Sequence, residues 1–288
     1  TSMESQVRAE ALVTRPRRKL IIERRTSLFD LNWSALWEYR ELCYVLIWRD
    51  LAVRYKQTAI GVAWVILQPL ITMLIFTAVF GRMAKVPSDG VWYPVFSLTA
   101  LLPWTYFSQA VSRAGESVVA NGRMVSKIYF PRLWLPIAMV ISPLVDFALS
   151  MVLLFGLLIY AGIPLTWKVA TLPVFILLAM LTALGISLFT SAMNVKYRDV
   201  GHAIPFVIQI WMFLTPVVYP VSLVPEHWRW LYGLNPMVGV IEGFRWALLG
   251  RTAPDPLVMV ESAAMLVVIV MAGIVYFRQM ERRFADII

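Results

Sequence analysis

The sequence predicts an all-α polytopic membrane protein, and three observations carry that prediction. Of 288 residues, 60% are hydrophobic and only 15% charged, against about half and about a quarter in a soluble domain. Mean hydropathy is +0.71. Six apolar stretches each approach the roughly 20 helical residues that span about 30 Å of hydrocarbon. They lie near 60–81, 94–115, 134–160, 169–193, 203–220 and 257–277. The segments between them alternate in basic content. Twenty of the 26 Lys and Arg fall on one side, counting the N-terminal segment, Arg113, the 116–133 and 194–202 connections and the tail. Short loops rich in Lys and Arg stay cytoplasmic, so both termini are expected inside.

Three regions follow in chain order: a basic N-terminal segment over 1–31, an amphipathic helix over 32–56, and a six-span domain over 57–288. Clusters such as "RPRRK" (Arg15 to Lys19) raise the net charge to +9. Their one-sided placement points to membrane topology and anionic headgroups rather than nucleic acid. The first thirty residues are polar, so the first span is expected to act as its own insertion signal.

In 32–56, Ser34, Glu38, Glu41, Arg49 and Lys56 fall in a stripe at 100° per residue, opposite Leu36, Tyr39, Cys43, Leu46 and Ile47. Such a helix is expected to lie in the inner leaflet and turn into the first span. Its basic residues Arg49, Arg54 and Lys56 are candidates for a pyrophosphate or a lipid headgroup.

The connection "VVANGRMVSKIYFPRLWLP" (Val118 to Pro136) holds room for about two helical turns between Asn121-Gly122 and Pro131. A short helix over about 121–131 is expected to expose Met124, Ile128, Tyr129 and Phe130 beside Arg123 and Lys127. Aromatics, Met and Arg are enriched in protein interfaces. After the fifth span, "EHWRWLYGLNPMVGVIEGFRWALLG" (Glu226 to Gly250) is too apolar for an outer loop. Each half is too short to cross, because fourteen residues reach only about 21 Å. A re-entrant hairpin turning at Asn235-Pro236 is expected, with two helices flat on the outer leaflet as the alternative.

Asp146 is the one carboxylate deep in a predicted span. Without a visible basic companion it makes a poor proton relay, and pairing at a helix or subunit interface is expected. The single Cys43 forms no internal disulfide, and His202 and His227 lack metal-ligand spacing. No GxxxxGK[ST] loop, Ser-His-Asp set or paired carboxylate marks a catalytic site. No cofactor is expected in this chain; any ATP and Mg²⁺ would sit on a separate polypeptide.

Aromatics crowd the spans. Trp64, Phe76, Phe80, Trp104, Phe107, Trp211, Phe213 and Tyr219 are candidate channel-lining rings, with belt and packing roles as the plainer reading.

Taken in order, "IWRDLAVRYKQTAIGVAWVILQPL", "VSKIYFPRLWLP", "NVKYRDVGHAIPFVIQIWMFLTPVVYP" and "LNPMVGVIEGFR" resemble the permease subunit of ABC exporters for bacterial surface polysaccharides such as O-antigen, capsule and teichoic acid. The resemblance runs from about Trp33 to the C-terminus. It implies a homodimer in the inner membrane, resting on two separate ATPase subunits. It further implies an interface helix at 33–55, a coupling helix around Met124 to Phe130, and an outer re-entrant gate containing Asn235, Pro236 and Arg245. Aromatics of the first, second and fifth spans would line the channel for a lipid-linked polysaccharide. Drug or small-lipid exporters of the same fold are less similar in "KIYFPR" and "NP…FR". A channel or ion-coupled carrier needs intramembrane charges or two homologous halves, and neither is visible. A non-transporting scaffold would differ in retaining no ATPase subunits on purification.

Overall fold

The computed structural model describes residues 33–56, 61, 63–250 and 253–284; the segment 1–31 lies outside them. Among the described residues the chain is helical, with no strand. Two short helices, α1 (Trp33–Glu38) and α2 (Arg40–Tyr55), precede α3 (Ala63–Phe76), which continues as a π-helix over Thr77–Met83. Then follow α4 (Tyr93–Ala120), the short α5 (Gly122–Lys127), α6 (Trp134–Ile141) and α7 (Pro143–Tyr160). The chain closes with α8 (Leu172–Lys196), α9 (Val200–Leu214), α10 (Arg229–Gly233), α11 (Pro236–Leu249) and α12 (Pro256–Glu281).

Four segments are long and apolar enough to cross a membrane: Ala63–Met83, Trp134–Tyr160, Trp167–Lys196 and Pro256–Glu281. They match the first, third, fourth and sixth expected spans. The other two differ for opposite reasons. Helix α4 has ample length at 28 residues but carries Arg113, Glu116 and Gln109 with several hydroxyls. Helix α9 is apolar but only 15 residues long, and ends at Leu214 instead of reaching Pro220. Pro216 disfavours helical backbone at the residue before it, and Thr215 is extended at φ −106°, ψ 141°.

Helix α4 is the hub, packing on α8, α6, α7, α11, α3 and α9. Two hydroxyls near its start bond within the helix: Ser97 donates to the Pro94 carbonyl at 3.1 Å and Thr99 to that of Val95 at 2.7 Å. Helices α8 and α12 cross at backbone contact. A Cβ at Gly273 would lie 2.2 Å from the Gly185 carbonyl oxygen, so only glycine permits this approach. Helix α11 ends on Gly250 in the left-handed region, φ 67°, where glycine carries no steric penalty.

The amphipathic stretch splits its apolar side in two. Leu36, Cys43 and Leu46 are buried, and α2 packs on α6. A second strip, Trp37, Tyr44, Val45, Trp48 and Val53, is exposed. Ser34, Glu38, Glu41, Arg49 and Lys56 are exposed as expected.

Candidate functional site

Two polar centres organise the molecule. The first lies where α2 meets α4 and α7. Arg54 bridges Asp50, one helical turn earlier, and Asp146 of α7, and donates to Ser142 Oγ at 3.1 Å. Ser142 in turn donates to Asp50 at 2.6 Å. Tyr55 donates its hydroxyl to Asp146, and Arg113 of α4 approaches Asp50 at 3.4 Å. Burial, then the bond to Asp146, pushes the Tyr55 phenol up to about 12, so it remains a neutral donor. Two guanidiniums and two carboxylates balance in charge, as low-dielectric surroundings require.

This corrects two expectations. Asp146 has a basic companion after all, supplied by the N-terminal helix 92 residues away; pairing at a helix interface was the right reading. Arg54 is committed to that pair and is not free to hold a headgroup. Of its proposed fellows, Lys56 and Arg49 are exposed, and Arg49 donates to Asn121 Oδ1 at 2.7 Å.

That bond leads to the segment expected to couple to a partner. The helix there is a single stretch, Gly122–Lys127, because Ile128 turns extended at φ −125°, ψ 135° ahead of Pro131. Arg123 and Lys127 are exposed, Met124 half-buried, and Ile128 and Tyr129 are 60% and 69% exposed. Phe130, expected at the surface, is 6% exposed. It is an internal anchor, since the chain bends at Ile128 and again at Phe130 after leaving the helix. The segment is pinned at both ends. Asn121 holds Arg49 of α2 and donates to the Ser117 carbonyl at 2.8 Å. Arg132 donates to the Glu281 carbonyl at the end of α12 and lies over the Phe284 ring. Nearby, Asn194 donates to the Gly115 carbonyl at 3.1 Å and accepts from the Gly201 amide, tying α4, α8 and α9 together. Asparagine pairs so distant in sequence leave no local signal; only its two-sided amide hints at them.

The second centre is at the opposite end. Arg245 is buried; it donates to the carbonyls of Val217 and Tyr219 at 3.1 and 3.3 Å and pairs with Glu242 at 3.1 Å. Its guanidinium lies 3.9 Å over the Phe96 ring. Asn235 caps α11 by accepting from the Met237 amide, while its NH₂ donates to Thr215 Oγ1 at 2.9 Å. Pro236 occupies the first turn of α11, where its missing N–H has no cost. The three residues expected in a gate thus fix the 215–219 turn to α11. The expected hairpin is lopsided. Its second half is the buried α11, whereas its first is a 3₁₀ turn over Glu226–Trp228 and the five-residue α10, with Trp228 and Trp230 exposed. Helix α11 is buried against α4, α8 and α12, while the shorter α10 stays at the surface.

The candidate channel rings divide as well. Trp104 and Phe107 are 4% and 0% exposed and pack on each other at 5.3 Å, with Trp211 edge-on to Phe107 at 5.4 Å. Trp104 and Phe107 are core residues on the packed side of α4, whereas Trp211 is half-buried. Trp64 and Phe213 are exposed; Phe76 and Phe80 form a half-exposed edge-to-face pair at 5.5 Å. Tyr219 is hydroxyl-bonded to Tyr232 at 2.7 Å. Among the described residues, no group of His, Cys, Asp and Glu has metal-binding geometry.

Similarity to known proteins matches this arrangement. The O-antigen export system permease protein RfbA of Myxococcus xanthus is 30% identical over 255 residues, 87% of this chain and 96% of that protein. A Klebsiella pneumoniae protein of the same name is 26% identical over 86% of this chain and 95% of its own length. The polysialic acid transport protein KpsM of Escherichia coli is 22% identical over 82% and 92%. Residues 41–249, from within α2 to the end of α11, match the ABC-2 type transporter family. The chain is thus a multi-pass membrane protein belonging to the ABC-2 type transporter family.

Proposed function

We propose that this chain is the permease subunit of an ATP-driven exporter of polysaccharide, working as a homodimer in the bacterial inner membrane on a pair of separate ATPase subunits. The observation that carries this reading is the doubly pinned coupling segment. Exposed Arg123, Lys127, Ile128 and Tyr129 form a knob with a basic rim, bonded to α2 on one side and to the end of α12 on the other. A force applied at this knob reaches the interface helix and, through the Arg54 cluster, α7 and α4.

In this reading all six apolar segments cross. Helix α4 does so enclosed by its neighbours, and α9 with the 215–219 turn completing its depth. Both termini are cytoplasmic, and α2 lies in the inner leaflet with Trp37, Tyr44 and Trp48 toward lipid. Helices α3 and α9 carry the least buried apolar faces. In the dimer those faces and their rings Trp64, Phe76, Phe80 and Phe213 border the conduit for a lipid-linked polysaccharide. ATP-driven closure of the partner subunits moves the coupling segments and parts these faces. The export class follows the printed names of the relatives.

Deleting the gene is expected to remove surface glycan while lipid-linked glycan accumulates inside the cell. Unchanged surface glycan would refute the proposal. A cysteine replacing Ile128 is expected to crosslink to the co-purified ATPase, which places the knob independently of substrate.

A further inference from the structure

The Arg54 cluster forms one wall of a cavity of about 200 Å³. Three helix faces converge on it at helical spacing. Trp64 and Gln68 come from α3, Thr105, Gln109 and Arg113 from α4, and Asp146 and Ser150 from α7. The α4 residues run along about 12 Å of one face, at 1.5 Å per residue.

Arg54, Tyr55, Asp146 and Ser150 are bonded, but part of the polar lining is unspent. Among the described residues, no hydrogen bond engages the side chains of Gln68, Gln109 or Thr105, and Arg113 makes only its 3.4 Å contact with Asp50. Gln68 is exposed and Thr105 and Gln109 are half-buried, so their donors and acceptors face water or a ligand. Trp64 lines the same cavity and is half-exposed, offering a flat apolar ring.

Resting on the export reading, we infer that this cavity is a binding site for one uncharged pyranose unit of the transported glycan. Each amide offers both donors and an acceptor, matching vicinal hydroxyls that also do both. The indole suits the C–H face of a sugar ring. A phosphate or pyrophosphate accepts only, and the neighbouring Arg54, Arg113, Asp50 and Asp146 leave no net positive charge to hold it. The volume admits a single ring.

The test uses the complete transporter, permease with ATPase, in lipid nanodiscs. Saturation-transfer NMR is recorded with glucose, galactose, mannose, N-acetylglucosamine and, separately, inorganic pyrophosphate. At least one sugar is expected to bind, about fivefold more weakly to Gln68→Ala or Gln109→Ala, the effect of one lost hydrogen bond. Thr105→Val, nearly isosteric, guards against misfolding, and its binding is expected to weaken in the same direction. Binding of none of the sugars, equal binding by all variants, or displacement of the sugar by pyrophosphate would overturn the site. Wild-type transporter that exports glycan but binds no sugar sinks this inference alone; one that exports none sinks the function itself.

Discussion

The two buried arginine centres are built differently. Arg54 pairs with carboxylates, one on its own helix and one on α7, with Arg113 of α4 close by. Arg245 pairs locally with Glu242 and otherwise binds backbone carbonyls and a ring face. The first joins side chains of separate rigid helices, so relative helix motion can remake its pairs. The second grips backbone and holds one turn conformation. In the proposed reading, the end that would receive force is linked by exchangeable ion pairs, and the opposite end is locked.

Substitutions can break that contrast. The largest effect is expected from Arg245→Ala, which strands two carbonyls and Glu242 in the interior. Loss of about 3–5 kcal/mol should appear as failed accumulation or a collapsed melting temperature in detergent. Recovery with lysine should be poor, since one ammonium cannot stack and span two carbonyls. Asp146→Asn leaves Arg54 underpaired and is expected to cost about 3 kcal/mol. Combining Arg54→Met with Asp146→Leu sharpens the point: stability should return close to wild type while export stays low, because the ionic link is gone. Export at wild-type rate by that double variant would make the cluster purely structural. Gly273→Ala drives a methyl into the Gly185 carbonyl, with about 1–3 kcal/mol lost by thermal melting. Asn235→Ala removes the α11 cap for about 1 kcal/mol. Smallest of all, Arg49→Gln at an exposed position should change stability by less than about 1 kcal/mol, yet lower ATPase-coupled export by loosening Asn121.

Apolar length made α3, α6–α7, α8 and α12 legible, and the boundary at Trp134–Tyr160 agrees with the third expected span. The end of α9 was written in Thr215-Pro216, a signal outweighed by the apolar run through it. The pairing of Asp146 was illegible because its partner lies on another helix far back in the chain. Exposure of the rings was illegible too. Trp104 and Phe213 read alike in sequence, and only the packing of α4 against α9 separates a core ring from a surface one. Phe130 was misread because helical spacing was extended past Ile128, where the backbone has already left the helix.

The polarity of α4 has a consequence for biogenesis. It is the most enclosed long helix, yet it lacks the uninterrupted apolar stretch found in four others. Bare lipid offers little to such a helix, and its hydroxyls, Gln109 and Arg113 favour a surround of protein. If all six segments cross, as proposed, membrane entry of this one depends on helices already inserted or waiting beside it. Its release from the translocon should be delayed until α8, synthesised more than fifty residues later, arrives to cover it.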